Sequence, residues 1–369
     1  MSAAPAWDRF ANWPELPARL ALGLSAILLL LAALLPPGSS PPAHKASAQA
    51  PAITGTDARK DEDIALYERI VERVAAGEPY HRVAVEEQRA RNFPVTPGAA
   101  VRLPTLARLS AWLGPAGLYG AAAAVWIATL IAWWCRLGVE PGGLPRRPIA
   151  MVLLIIGIAG GLKPQYLALH EVWAGTLLAL SFALHRGERW IGSLIAAALA
   201  LAIREHALPF VLLMGAFALW KRRWAELACW AGLCVLFLAA MWVHLGIVAD
   251  LVTPQDRPSP SWFALRGLAG FTSNVALSSS LQFLPHMLAG PLAVLPLIGW
   301  AGWKSQAGAF GTLLFAGYAV LFMIAGRDNN FYWALMITPT YFMGLAFAPM
   351  VLRSLWRSAR GRGRSRFSS

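Results

Sequence analysis

Residues 227–248 read LACWAGLCVLFLAAMWVHLGIV, with no Asp, Glu, Lys or Arg among them, and Lys221-Arg222-Arg223 stands just before. As a helix rising 1.5 Å per residue, such a run reaches about 33 Å, enough for the roughly 30 Å hydrocarbon layer of a bilayer. It predicts a membrane-spanning helix with a basic group at its entry. Nine more apolar runs follow the same reading, at residues 18–35, 118–135, 149–162, 167–184, 190–203, 207–220, 284–303, 307–325 and 331–352. The expected fold is all-α, a polytopic membrane protein of about ten transmembrane helices.

Composition agrees. Of 369 residues 57% are hydrophobic and 14% charged, and the mean hydropathy is +0.52. Water-soluble domains carry about a quarter charged residues, so an ordinary cytoplasmic enzyme, a disordered chain and a collagen are excluded. The 17 Trp, 16 Phe and 7 Tyr suit rings placed at bilayer interfaces. A net charge of +13 suggests nucleic acid only until the charges are located: they fall in short breaks between apolar runs and at the C-terminal end, a topology signal instead of a DNA-binding face. Cys135, Cys229 and Cys234 show neither metal-ligand nor disulfide spacing and read as packing residues.

An even number of spans puts both termini on one side. With the N-terminus inside, the inner breaks hold Arg136, Arg146 and Arg147, then Arg186 and Arg189, then Lys221 to Arg223, and finally the Arg-rich tail from Arg353 to Arg366. The short outer breaks are poorer in Lys and Arg, and the outer segments taken together, long loop included, are richer in acids, so both termini are expected in the cytoplasm. Drawing residues 190–220 as one interrupted element would put Lys221-Arg222-Arg223 outside, so two spans are kept. The first run alternatively reads as a signal peptide with Ala46-Ser47-Ala48 as its cleavage site, but it is longer than a usual apolar core and the site lies far beyond its end.

The expected organisation is therefore an inner N-terminus and first span (1–35), an outer loop (36–115), a membrane bundle (116–352) and a basic cytoplasmic tail (353–369). The loop starts with a Pro, Ala and Ser tether at residues 36–55. In residues 61–76 Ile64, Tyr67, Val71 and Val74 recur at helical spacing, with Glu68, Arg69, Glu72 and Arg73 on the other side. This predicts an amphipathic helix on the membrane surface, ended by Gly77.

Asp57, Asp61, Glu62 and Asp63 stand before and within the start of that helix. Capping of free amides accounts for any one of them; four together leave room for a base. The other outer breaks are polar beyond the needs of a turn: Lys163-Pro164-Gln165-Tyr166 with His170-Glu171, then Arg204-Glu205-His206, then Gly326-Arg327-Asp328-Asn329-Asn330. Ionisable groups at the edge of hydrocarbon mark a functional cavity. The plainer alternatives are a local Arg204–Glu205 ion pair, a His206 satisfied by hydrogen bonds, and turn and N-cap chemistry at Asp328 to Asn330. Arg forks bind phosphate oxygens in pairs, and a carboxylate across a pocket takes a proton from an attacking hydroxyl, so together these groups suit handling of a lipid phosphate.

One span, then a long outer loop running from Asp61-Glu62-Asp63-Ile64-Ala65-Leu66-Tyr67 to Gly77-Glu78-Pro79-Tyr80, then many short spans, resembles the C-type (GT-C) membrane glycosyltransferases of bacteria. Arg204-Glu205-His206 and the stretch from Gly326 to Trp333 resemble their outer-face loops. The resemblance implies transfer of a sugar from a polyprenyl-phosphate donor to an acceptor on the outer face of the inner (plasma) membrane. Carried over, the base is Asp63, which fits a D-x-x-x-Y spacing with Tyr67, with Asp61 and Asp57 next in order. Arg204, His206 and Arg327 would hold the phosphate, with Glu205 and Asp328 beside them. Asn330 and Tyr332 would lie near the sugar or headgroup, Arg102 would face the donor where the loop returns, and Glu171 is the carboxylate of the second outer loop.

A transporter or flippase for a lipid-linked or small polar substrate is the main alternative; such folds show internal repeats and charges at mid-depth, whereas here no repeat is seen and the charges gather on one face. A non-catalytic subunit of an envelope-polymer assembly is the third reading. No Gly-rich phosphate loop, zinc spacing or serine-hydrolase elbow is present, so no cofactor is expected. A divalent ion bridging Asp57, Asp61 or Asp63 to a phosphate stays open without being indicated. The expected partners are the bilayer and the lipid-linked sugar, not nucleic acid.

Overall fold

The computed structural model describes residues 7–35, 56–159, 161 and 163–361, the side chains of residues 56–61 excepted. The tether, part of the basic tail, and the side chains of Asp57 and Asp61 therefore lie outside the described residues. The chain is 79% helix, with no strand among the described residues. Its helices are α1 (Glu15–Leu34), α2 (Thr56–Ala75), α3 (Tyr80–Ala90), α4 (Thr105–Val139), α5 (Arg147–Ala159), α6 (His170–Leu184), α7 (Ile191–Ile203), α8 (Leu208–Trp220), α9 (Trp224–Leu251), α10 (Gly267–Leu277), α11 (His286–Gly302), α12 (Gln306–Ile324), α13 (Thr338–Tyr341) and α14 (Ala348–Ala359).

Four of these elements are long and apolar enough to cross a membrane: α1, residues 98–139 including α4, α9 and α12. α6, α7, α8 and α11 are apolar but shorter. Along α1, Leu16, Leu20, Leu24, Ile27, Leu30 and Leu34 are each more than half exposed. An apolar face that long is intolerable in water and natural in hydrocarbon. α4 bends at Gly114, whose φ of +64° opens the turn that Pro115 then restarts as helix.

By its contacts the chain divides into two units, one of Met1–Pro41, Leu130–Gly160 and Ala264–Ser369, the other of Pro42–Thr129 and Gly161–Phe263. In the first unit α1 packs on α11 and α14. The approach is close: a Cβ added to Gly290 of α11 would stand 1.9 Å from the Ala32 carbonyl oxygen. Small residues let helix backbones meet in this way. Gly290→Ala is expected to cost about 1–3 kcal/mol by overpacking, read as a lower thermal midpoint in detergent; Gly23→Ala, where a Cβ meets open space, should leave it unchanged.

The run expected as a last span at residues 331–352 is not one helix. It consists of a 3-10 stretch at Asp328–Met336, then α13, a second 3-10 stretch at Phe342–Ala346 and the start of α14. Pro339 and Pro349 interrupt the pattern of amide donors. α14 is amphipathic, with Val351, Leu355 and Ala359 buried and Arg353, Trp356, Arg357 and Arg360 exposed.

In the second unit α6 and α7 lie against each other over most of their length. Ser181 Oγ hydrogen-bonds to the Ser193 carbonyl at 2.8 Å and to Ser193 Oγ at 2.9 Å. Every residue of α6 except Leu180 and Leu184 is buried. At the C-terminal end of α6, His185 meets Glu226 of α9 at 2.7 Å, Trp230 Nε1 donates to Glu226 at 3.2 Å, and Arg223 donates to the Gly187 carbonyl. The Lys- and Arg-rich breaks at 185–190 and 221–223 thus share one end of this unit. The other end gathers α2, α3 and the breaks at 163–170 and 204–207.

The helix predicted at 61–76 forms but starts at Thr56, which puts Asp61, Glu62 and Asp63 past its first turn and removes helix capping as their reason. Gly77, at φ +93°, ends it as expected. Its apolar stripe packs against protein. Leu66 and Ile70 are buried in a core with Tyr80, Val83 and Ala84 of α3, Val95, Val101 and Ala107, and Val248 of α9. α3, unforeseen from the sequence, supplies that cover, and Arg73 locks the hairpin by pairing with Glu78, Glu86 and Glu87.

The segment after α9 is fastened to α3 by a forked pair, with Arg89 Nε 2.6 Å from Asp256 Oδ1 and Nη2 2.7 Å from Oδ2. Those bonds, with the Thr253 amide, hold the Asp256 carboxyl below its ordinary range. A depressed carboxyl stabilises the fold above its unfolded value of about 3.9, and the contribution fades as pH falls below that toward the folded value. Acid titration of the thermal midpoint should show a loss below about pH 4 that is missing in Asp256→Asn.

Candidate functional site

The polar breaks at one end of the second unit converge on Arg204. α7 ends at Ile203, a 3-10 turn at Glu205–Ala207 follows, and α8 begins at Leu208, so Arg204 stands in extended backbone between two short helices. Its side chain is completely buried. Nε lies 2.8 Å from Glu171 Oε1, a charge contact without the alignment of a hydrogen bond. Nη1 donates to Glu205 Oε1, which also takes His206 Nδ1 at 3.0 Å. Glu171, in the first turn of α6, is buried to the same degree, while Glu205 and His206 stay partly open.

Arg204 was expected to hold a phosphate. In the structure it is buried and faces two carboxylates, Glu171 and Glu205. The plainer alternative weighed for it, an ion pair with Glu205, is present and extends to Glu171.

Around this pair stand the groups brought by the long loop. Arg102 Nε donates to the Tyr67 hydroxyl at 3.1 Å, and the Tyr80 hydroxyl donates to the Arg102 carbonyl at 2.7 Å. The Tyr67 ring meets His170 edge-on, centroids 5.0 Å apart. Burial pushes the Tyr67 hydroxyl pKa up; Arg102 pulls it the other way, while the charges of Asp63 and Glu171 add to the rise. Asp63, one helical turn before Tyr67, therefore belongs to the same electrostatic neighbourhood as Arg102 and Glu171, and its side chain is partly buried. Burial also raises Tyr80, so both tyrosines stay protonated at neutral pH.

A groove of about 300 Å³ opens in the same unit between the start of α4 and α9. Leu103, Phe237, Met241 and Ile247 give it apolar walls, and Arg108 and His81 supply polar ones. His81 Nε2 lies 3.1 Å from His244 Nδ1, and His244 Nε2 lies 3.1 Å from the Val101 carbonyl. Burial lowers the His81 pKa to about 4, with His244 and Arg108 adding to the effect. None of these groups stood out in the sequence: His244 is hidden in an apolar run, and Arg108 and His81 lie in unremarked parts of the loop.

The remaining expected residues belong to the first unit. The Arg327 amide donates to Asn330 Oδ1 at 3.0 Å, which caps the 3-10 stretch. Asp328 pairs at 3.0 Å with Arg266, the N-cap residue of α10, and the same guanidinium donates to Asn274 at 2.9 Å. Tyr332 is buried against Phe331. Asp328 and Asn330 thus carry the tie and cap of this turn, the turn and N-cap chemistry given above as their plainer alternative. Among the described residues no group of three or more His, Cys, Asp or Glu is arranged to hold a metal ion. No family model, curated protein or solved structure matches the chain.

Proposed function

We propose that the protein is a membrane glycosyltransferase that takes its sugar from a polyprenyl-phosphate donor. The observation that carries this reading is the meeting, in one unit, of Asp63, Tyr67, Arg102, Glu171, Arg204, Glu205 and His206, beside an apolar groove with Arg108 in its wall. Apolar walls suit a prenyl chain, and a cation at the end of such a groove suits its phosphate.

In this reading Arg102 and Arg108 receive the phosphate, and Arg204 fixes Glu171 and Glu205 behind them. Asp63 accepts the proton of an acceptor hydroxyl as its oxygen bonds to the anomeric carbon. The bond from that carbon to the phosphate oxygen breaks, and its electron pair leaves with the polyprenyl phosphate. Asp61 and Asp57, earlier on α2, are the alternative bases. Ten spans, with both termini in the cytoplasm of a bacterial inner membrane, would place this end of the unit outside.

The buried Arg204–Glu171 pair between three short helices also suits a gate, which keeps a lipid flippase as the second reading. Purified protein in lipid vesicles, given a panel of polyprenyl-phosphate sugars, is expected to release the free polyprenyl phosphate from one of them, read by mass spectrometry. Movement of a donor across the bilayer without its cleavage would replace the transferase by the flippase.

A further inference from the structure

We infer that the cleft between α2, the bend of α4 and the turn at residues 164–168 binds a neutral carbohydrate, with His170 as the buried partner of one of its hydroxyls. As the acceptor site of a sugar transfer this rests on the transferase reading; as a binding site it does not.

Two adjacent spaces define it. The outer one is an open cleft of about 330 Å³, with Glu68 and Glu72 from α2, Tyr119 from α4 and Gln165 from the turn around an apolar floor. The inner one, about 20 Å³ and so with room for a single hydroxyl or water, shares Val71, Ser110 and Ala168 with the outer and has Tyr67 and His170 in its wall. Small-molecule sites occupy roughly 300–1,000 Å³.

His170 is 3% exposed, and neither of its ring nitrogens has a hydrogen-bond partner among the described residues. A buried imidazole left so gives up hydrogen bonds that water would supply, and a hydroxyl entering the inner space restores one. The lining selects the ligand. Tyr119, 44% exposed, offers a ring face to the C–H side of a pyranose, and carboxylate and amide groups match pairs of hydroxyls. Glu68 repels a phosphate and Glu72 is already paired with Arg69 at 2.9 Å, which separates this cleft from the groove assigned to the donor.

Saturation-transfer NMR on the intact chain in nanodiscs, with methyl α-glucoside, methyl α-mannoside and methyl α-galactoside as probes and tetramethylammonium as a cationic control, tests this. At least one glycoside should be saturated, with at least about tenfold weaker binding in both His170→Leu and the surface variant Tyr119→Ala. Binding of no glycoside, of tetramethylammonium alone, or of glycosides with equal strength in both variants overturns it. Donor cleavage without glycoside binding defeats this inference and spares the transferase; glycoside binding without donor cleavage does the reverse.

Discussion

Arg204→Leu is expected to destabilise the second unit by about 3–5 kcal/mol, the typical cost of removing one partner of a buried ion pair. The loss comes from what remains. Glu171 is buried as deeply as Arg204 and lies 2.8 Å from Nε, and Glu205 shares the same guanidinium. Without the cation, two carboxylates face each other in a low-dielectric space. The single variant should melt early in detergent and elute as aggregate, whereas Arg204→Leu combined with Glu171→Leu should regain much of the midpoint, because a buried pair replaced by apolar groups is often nearly neutral. If the single variant melts with the parent, or the double variant melts lower still, the pair does not organise this end of the helices.

Asp63→Asn acts on the other side of the same cluster with the opposite signature. The side chain is partly buried on the α2 face, and the exchange keeps its shape, so folding and insertion should be untouched. As the proposed general base its loss should lower release of polyprenyl phosphate by about 100- to 10,000-fold. Turnover within twofold of the parent would remove Asp63 from the chemistry and send the same test to Asp61→Asn and Asp57→Asn. Binding of the lipid donor should persist in the variant, since Arg102 and Arg108 are unchanged.

The strongest features of the fold were legible because a bilayer writes them into composition. The run at 227–248 is a long helix, α9, since apolar length is what hydrocarbon demands. The polar breaks at 163–171 and 204–206 do share an end of their unit, as their mixed charges implied. What stayed hidden depends on contacts between distant segments. Nothing in YHRVAVEEQRA (α3) says that Val83 and Ala84 will cover Leu66 and Ile70, so the amphipathic pattern of α2 read as lipid-facing. Nothing in the Arg204 neighbourhood names Glu171 as a second partner. α10, with Gly, Thr, Ser and Asn among its eleven residues, lacks the apolar period of a helix and is held by its neighbours. At Asn330, cap and sugar ligand use the same amide, and only geometry tells them apart.

The enclosure of α6 bears on how the chain is put in place during synthesis. At fifteen residues, about 22 Å of rise, and with protein on nearly every side, this segment has little surface with which to hold itself among acyl chains. It also carries His170 and Glu171 at its leading end. Its companion α7, thirteen residues long, supplies the serine clasp. The buried charges at their tips, Glu171 and Arg204, find their counter-ion only when the hairpin of α6 and α7 has closed.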